Sequence, residues 1–295
     1  MEKRVTQLGQ SLVRSTTIPE QPKRKVKYPL LSPRSMGETS SLRTTPRTEP
    51  GEPWKKYCKC YRALDLVGQP HIAVEQSSKA TRVLVQETPV LESTRLLRTF
   101  HQLQHPNVAS IIEAFTTELS LYLILEEMIS LNQIMACSSP MYNAQLIAIL
   151  GQIIDGLVYL NKESFSHGDV DFRSILVNRK GIIRLASLQG FPKFSIECNQ
   201  KDLRGFHNIT QRLIQRHLAA NKHEPHLSIN ESIMSFETTV ATTTEAGLHF
   251  QDIRRVDSFW LTKKSWGEYQ IAAMVAFTDI SVQRFYKRDI ANFEL

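Results

Sequence analysis

The distribution of apolar positions divides the chain into three parts. Residues 1–50 show no apolar period; Pro, Ser, Thr, Lys and Arg dominate and aromatics are almost absent. Such a segment cannot bury enough surface to offset its ordering entropy, so it reads as a disordered tail. From Trp54 onward, short apolar runs predict strands over Tyr61–Val67, Pro70–Gln76 and Thr81–Glu87, separated by Gly68-Gln69 and Ser77-Ser78-Lys79. Val83 and Val85 alternate with Arg82, Leu84 and Gln86, as in a sheet with one well-buried face. Leu96, Leu97, Phe100 and Leu103 then adopt helical spacing within Leu91–Leu103, and Val108–Ala114 and Leu121–Glu126 are two further strand candidates. Beyond Glu126 the period is helical. Leu146, Ile149, Leu150, Ile153, Ile154, Leu157 and Leu160 recur at three- and four-residue steps within Asn143–Asn161, which predicts a helix apolar over a wide face and therefore well buried. Ile175–Val177 and Ile182–Leu185 are brief strands joined by the hairpin-type turn Asn178-Arg179-Lys180-Gly181. Asp202–Leu218 is another helix, and Ser228–Phe293 reads as further helices with polar connections. The pattern is α+β: a small sheet carrying one helix, then a mostly helical half.

Charge changes the picture only at the N-terminal end. Residues 1–50 hold ten Lys/Arg against four Glu, which accounts for +6 of the chain's net +7. The basic balance therefore describes the tail and argues against a nucleic-acid-binding face on the fold. The run Lys23–Lys27 suits nuclear import or an acidic surface, although a solvated linker is the more ordinary reading. Cys58, Cys60, Cys137 and Cys198 match no zinc spacing, and His207, His217, His223 and His226 suggest solvated or capping roles. The segment MEKRVTQLGQ lacks the apolar stretch of a signal peptide, and no run approaches the ~20 apolar residues of a membrane span. The expected setting is intracellular, cytoplasmic or nuclear, with no membrane partner.

Several motifs then fall in one order. Leu96–Phe115, LLRTFHQLQHPNVASIIEAF, resembles the end of the αC helix and the fourth strand of a protein kinase, including the turn His105-Pro106-Asn107. Leu121–Met128, LYLILEEM, resembles the fifth strand and hinge. Ser166–Val177, SHGDVDFRSILV, resembles the catalytic loop HRDLKPENILL, and Gly181–Gln189, GIIRLASLQ, stands where the metal-binding DFG strand belongs. Asp202–Ile214 resembles the αF helix, whose first Asp braces the catalytic loop. The chain is thus similar to the eukaryotic protein kinase-like superfamily over roughly residues 54–260, in particular to degenerate members such as those of filamentous fungi. The resemblance implies a bilobal domain over 51–295, with an N-lobe of about 54–126 and a truncated, mostly helical C-lobe of about 127–295.

Measured against that resemblance, most residues that would handle Mg-ATP are replaced. One glycine, Gly68, stands where a glycine-rich loop would cradle phosphates. Gln86 replaces the strand-three Lys, and Leu84 replaces the small Ala that roofs adenine, so its bulk should fill the space of the base. Leu96 aligns with the αC Glu. The nucleotide-facing positions Glu126, Met128 and Leu176 are counted as degenerate, and so are the metal positions Ser174 and Ser187, where a hydroxyl is a poor ligand for a hard divalent cation. The catalytic loop keeps His167 and Asp169 but carries Gly168 and Asp171 in place of Arg and Lys. About a dozen residues separate Leu188 from Asp202, and no APE motif occurs. His167, Phe100, Ile111 and Leu188 would form an apolar spine.

The expectation is a catalytically inactive pseudokinase, without cofactor, acting on a protein partner as a binding or regulatory module. Asp169 is then a vestigial base position, an Asp accepting backbone hydrogen bonds in a tight loop. The alternative is a weak or atypical Ser/Thr protein kinase that binds ATP and Mg and uses Asp169 as base, with Arg82 or Lys79 in place of the missing Lys.

Overall fold

The computed structural model describes residues 47–77, 79–137, 140–187, 190–220, 227–256 and 268–291. The Lys23–Lys27 run, His223 and His226 lie outside them.

The first lobe is a six-stranded sheet in the order β1-β5-β6-β4-β3-β2. Its strands are β1 (Arg47–Pro50), β2 (Tyr57–Arg62), β3 (His71–Glu75), β4 (Arg82–Pro89), β5 (Ile111–Thr116) and β6 (Ser120–Glu126). Four expectations shift here. Disorder, expected through residue 50, does not hold for its last four residues, because Arg47–Pro50 pairs in parallel with Glu113–Thr116. Main-chain hydrogen bonds suffice to hold a polar segment at a sheet edge, and hydrophobicity is silent about them. The strand expected over Tyr61–Val67 starts at Tyr57 and ends at Arg62, and residues 63–70 form a loop. The strand expected over Val108–Ala114 begins at Ile111, since the HPN turn occupies the residues before it.

The fourth shift concerns burial: β4 is covered on both faces. Val83 and Val85 join Tyr57, Phe115, Tyr122 and Ile124 in an outer cluster beside Trp54, while Leu84 belongs to the main core between the lobes. Under β1, the buried Glu113 accepts from Lys56 Nζ at 2.7 and 2.9 Å and from the Tyr57 hydroxyl.

Helix α1 (Ser93–Gln102) lies between β4 and β5 and buries Leu96 and Phe100. The chain then enters the second lobe through β7 (Met128–Ser130) and α2 (Leu131–Ala136), two short elements that the apolar period did not resolve. The Ser130–Gln133 capping box starts α2. Helix α3 (Asn143–Lys162) is long and apolar enough in composition to cross a membrane, which revises the statement that no run approaches that length. Its residues are mostly buried against β9, α4, α6 and α7, so the composition is that of a core helix. Strands β8 (Ile175–Asn178) and β9 (Ile183–Leu185) complete a small sheet, β7-β8-β9. Helix α4 (Ile196–Ala220) starts six residues before the expected Asp202. It is followed by α5 (Leu227–Ala246), α6 (Phe250–Val256) and α7 (Glu268–Ala291). His217, expected at the surface, is buried with Nδ1 3.0 Å from the Met141 carbonyl oxygen.

The two lobes share a polar anchor at the HPN turn. Asn107 Nδ2 donates to Gln152 Oε1 at 3.0 Å and to the Ile183 carbonyl at 2.9 Å. Gln152 Oε1 also accepts from Ile183 N at 2.9 Å. This buried and satisfied network ties the N-lobe connection to α3 and β9.

Candidate functional site

The lower wall of the cleft is the loop 164–174, held from beneath by α4. Asp202 accepts from His167 N at 2.7 Å and from Gly168 N at 2.8 Å. Burial pushes its carboxyl up to about 7, against those two donors and the nearby Lys201 cation. One turn later, Gly205 passes the loop so closely that a Cβ there would stand 2.1 Å from the Val170 carbonyl oxygen. The bracing role expected of Asp202 is therefore realised, with Gly205 as a second condition.

His167 is buried, and its imidazole is pushed down to about 4 by desolvation, against the pull of Asp169. It meets Phe191 edge-on at a centroid distance of 5.7 Å, and Phe191 meets Phe100 on α1 at 6.2 Å. The spine position expected of Leu188 lies outside the described residues, and Phe191 supplies an aromatic bridge between α1 and the catalytic loop. Gly190 makes this possible, with φ +82° and Leu96 Cδ2 only 2.6 Å from where its Cβ would be. Leu96, in the place of the αC Glu, packs there as an apolar contact. Ile111, the remaining spine candidate, is half-buried against the core.

The hydroxyls at the two degenerate metal positions are both taken up by main-chain carbonyls. Ser174 Oγ donates to the Asp169 carbonyl at 2.8 Å and accepts from Asp171 N at 3.0 Å. Asp171 Oδ1 accepts from Arg173 N at 2.7 Å and Ser174 N at 2.9 Å, an Asx-type closure of the loop. The Asp that replaces the phosphate-binding Lys is thus a turn residue. Ser187 Oγ likewise donates to the Gly190 carbonyl at 2.9 Å. Asp169 points outward: its side chain is 67% exposed and pairs with Lys201 Nζ at 2.9 Å. Lys201, on α4, had no sequence signal; the αF match covers its neighbour Asp202 and not its own role.

The upper wall is apolar at its base and carries Glu87, Glu92 and Arg95 toward its mouth. Gln86 lies opposite Leu123 in the sheet, and its amide folds back to donate to the Glu87 carbonyl at 2.7 Å, leaving Oε1 buried without a partner. Arg82, weighed as a substitute cation, is turned away from the cleft and pairs with Glu127 at 2.8 Å. Lys79 is exposed before β4.

Leu84 is 2% exposed and lines a cavity of about 10 Å³ with Leu66, Val67, Pro70, Leu125, Leu176, Ala186 and Arg173. That volume is roughly the least that a single water needs. The sequence foresaw Leu84 as a plug but not Leu66, which drops to 3% exposure from the loop 63–70. That loop is pinned: Ser130 Oγ donates to Asp65 Oδ2 at 3.2 Å, and Arg173 Nε donates to the Asp65 carbonyl at 3.4 Å. Nearer the mouth, Gln86, Arg95, Gly168, Asp169, Ser187 and Lys201 border an open cleft of about 710 Å³.

At the hinge, Met128 is buried and pairs with Asn178. Glu126 accepts from Asn178 Nδ2 at 3.0 Å and meets Arg184 at 3.3 Å. Glu127 is only 12% exposed and lies between Arg82 and Arg179. These carboxylates join protein to protein. Magnesium triphosphate would need a cavity for its base, a cation for its phosphates and carboxylates for its metal. A cavity of about 10 Å³, a neutral Gln86 and two serines whose hydroxyls are bonded to main chain do not fit it.

A two-lobed α+β domain with this cleft, HPN anchor and αF-type brace is a protein kinase-like domain, and the comparisons agree. Residues 56–195, just under half of the chain, match the protein kinase domain family, and the fold is kinase-like. It is 28% identical over 134 residues to MAP3K epsilon protein kinase 1 of Arabidopsis thaliana, covering 44% of this chain and 10% of that protein. It is 38% identical over 93 residues to dual specificity mitogen-activated protein kinase kinase 1 of Dictyostelium discoideum, covering 30% and 14%. Over 104 residues it is 27% identical to cyclin-dependent kinase-like 4 of Mus musculus, covering 35% and 30%. The matched region is thus a small part of the first two relatives.

Proposed function

We propose that this kinase-like domain is a pseudokinase, a protein-binding or regulatory module that does not transfer phosphate. The observation that carries the reading is the filled base pocket. Leu66 from the loop above and Leu84 from β4 leave about 10 Å³ where a nucleotide base would enter. The neutral Gln86 and the main-chain-bonded hydroxyls of Ser174 and Ser187 support it from the phosphate and metal side. In this reading the partner is a protein, no nucleotide or metal cofactor is needed, and Asp169 is a vestige. The test is a thermal-shift titration with Mg-ATP, because a ligand that binds the native state alone raises the melting temperature. No shift is expected up to millimolar nucleotide. A saturable, magnesium-dependent rise would overturn the proposal.

A second reading, a weak Ser/Thr kinase with Asp169 as base, draws on Lys201. That cation arrives from α4 beside Asp169, where the loop itself has lost its Lys. Labelled phosphate transferred to a peptide, and lost in Asp169→Asn, would favour it.

A further inference from the structure

Four charged side chains form a continuous ion chain across the molecule, beyond the cleft. Arg82, on strand β4 of the N-lobe, pairs with Glu127 of the hinge at 2.8 Å. Glu127 pairs through its other oxygen with Arg179 of the β8–β9 turn at 3.0 Å, and Arg179 pairs with Asp279 of α7 at 3.4 Å. Glu127 is 12% exposed and Asp279 24%, so two of the four charges are shielded enough to be coupled more strongly than surface pairs. Helix α7 is also packed on α2, α3 and β8, the elements that flank the hinge. It lies outside residues 56–195, the part that matches the kinase family.

We infer that α7 is a strap on the hinge: docked, it holds Arg179 against Glu127 and thereby stiffens the connection between the lobes. A charge presented to Arg179 by a bound protein, or the release of α7 from α2, would then be felt at β4 in the N-lobe. The alternative is that each pair is local and contributes only to its own neighbourhood. The two differ in one measurable respect. Arg82 and Asp279 form no ion pair with each other, so a coupling between them is carried by the groups that lie between, Glu127 and Arg179 with Tyr61 beside them.

The experiment uses the full chain, with Arg82→Met, Asp279→Asn and the double variant. Amide hydrogen exchange is read at Met128–Ser130, whose amides belong to the hinge strand β7, and at β4, with the amides of α4 as a control for global folding. Asp279→Asn is expected to lower hinge and β4 protection about threefold or more when Arg82 is present, the scale of an ordinary coupling between linked groups. In the Arg82→Met background the same substitution is expected to change hinge protection by less than half that factor. Equal effects in both backgrounds, or a loss confined to α7, would overturn the strap. If Arg82→Met alone collapses protection in α4, Arg82→Gln takes its place: it removes the charge but keeps a polar side chain, and the same loss of coupling to Asp279→Asn is expected, with an undiminished coupling counting against the strap.

Discussion

The lower and upper walls of the cleft are built from the same chain by different rules. Below, the catalytic loop is held by backbone-directed bonds: Asp202 on two amides, Asp171 and Ser174 on their own turn, and Gly205 under Val170. Above, side chains that would meet a ligand are replaced by ones that meet each other: Leu66 with Leu84, Leu96 with Gly190, and Gln86 with its own strand. The scaffold and the ligand site of this fold are thus separable. A residue that braces backbone is needed whether or not nucleotide binds. A charge aimed at phosphate has no partner once phosphate is gone, and burying it unpaired would cost stability. On the pseudokinase reading, Gln86 and Leu96 are what remains when a lysine–glutamate pair is no longer required.

The strongest way to break this contrast is to attack the lower wall. In Gly205→Ala the added methyl would lie 2.1 Å from the Val170 carbonyl oxygen, so α4 and the loop must separate, and Asp202 loses its amides with them. The expected cost is about 3 kcal/mol or more, despite the better helix propensity of Ala. A denaturant midpoint within error of the parent would show that the loop does not depend on α4.

The upper wall answers differently to a comparable insult. Leu84→Ala removes a fully buried side chain and should cost about 2–4 kcal/mol. It also enlarges the cavity beneath Leu66, however, so adenosine at millimolar concentration should raise the variant's melting temperature while leaving the parent's unchanged. If adenosine stabilises neither, the pocket is shut by more than Leu84, with Leu66 and the pinned Asp65 loop as the next candidates.

His167 probes where the two walls meet. Its ring is held neutral by burial, down to about 4 from 6.5, so between those values the unfolded chain binds a proton that the folded chain refuses. Stability from this group is present above pH 6.5 and lost as the pH falls toward 4. Asp202, raised by burial to about 7 from 3.8, works in the opposite sense: it favours the folded state as the pH falls from 7 toward 3.8. In His167→Phe, which keeps an aromatic ring against Phe191, the loss on acidification from pH 7 to 4.5 should shrink by on the order of 2 kcal/mol. An unchanged slope would mean that His167 is not neutral in the folded protein.

How much of this was legible depended on whether a residue's role is local. The helix over Asn143–Asn161, the β8–β9 hairpin and the brace at Asp202 followed from period and motif. The resemblance also located the positions where charge is missing. What the sequence withheld were roles fixed by distant chain. Phe191 reaches the gap between Phe100 and His167 only because Gly190 turns the backbone. Arg82 has a plausible spacing from Gln86 along a strand, but its guanidinium finds Glu127, 45 residues later in the chain. Leu66 looked like part of a strand because apolar residues plug pockets and build sheets with the same side chain. Strand β1 carries almost no apolar signal, since its neighbour holds it by main-chain bonds.

The smallest expected effect separates the two functional readings most sharply. Lys201 and Asp169 pair at 2.9 Å, but both side chains are more than half exposed. Lys201→Met should therefore change stability by less than about 0.5 kcal/mol, since solvent screens such a pair and its ordering entropy offsets the attraction. If the domain is a pseudokinase, nothing else changes, because Asp169 is a solvated carboxylate whose neighbour was incidental. If Asp169 acts as a base, Lys201 is the cation paired with it on the cleft, placed to meet a transferred phosphate. Its loss would then remove phosphate transfer while leaving the fold intact. A variant that is equally stable yet loses a measurable phosphorylating activity would place chemistry in the lower wall. Unchanged stability with no activity in either protein leaves that wall as scaffold alone.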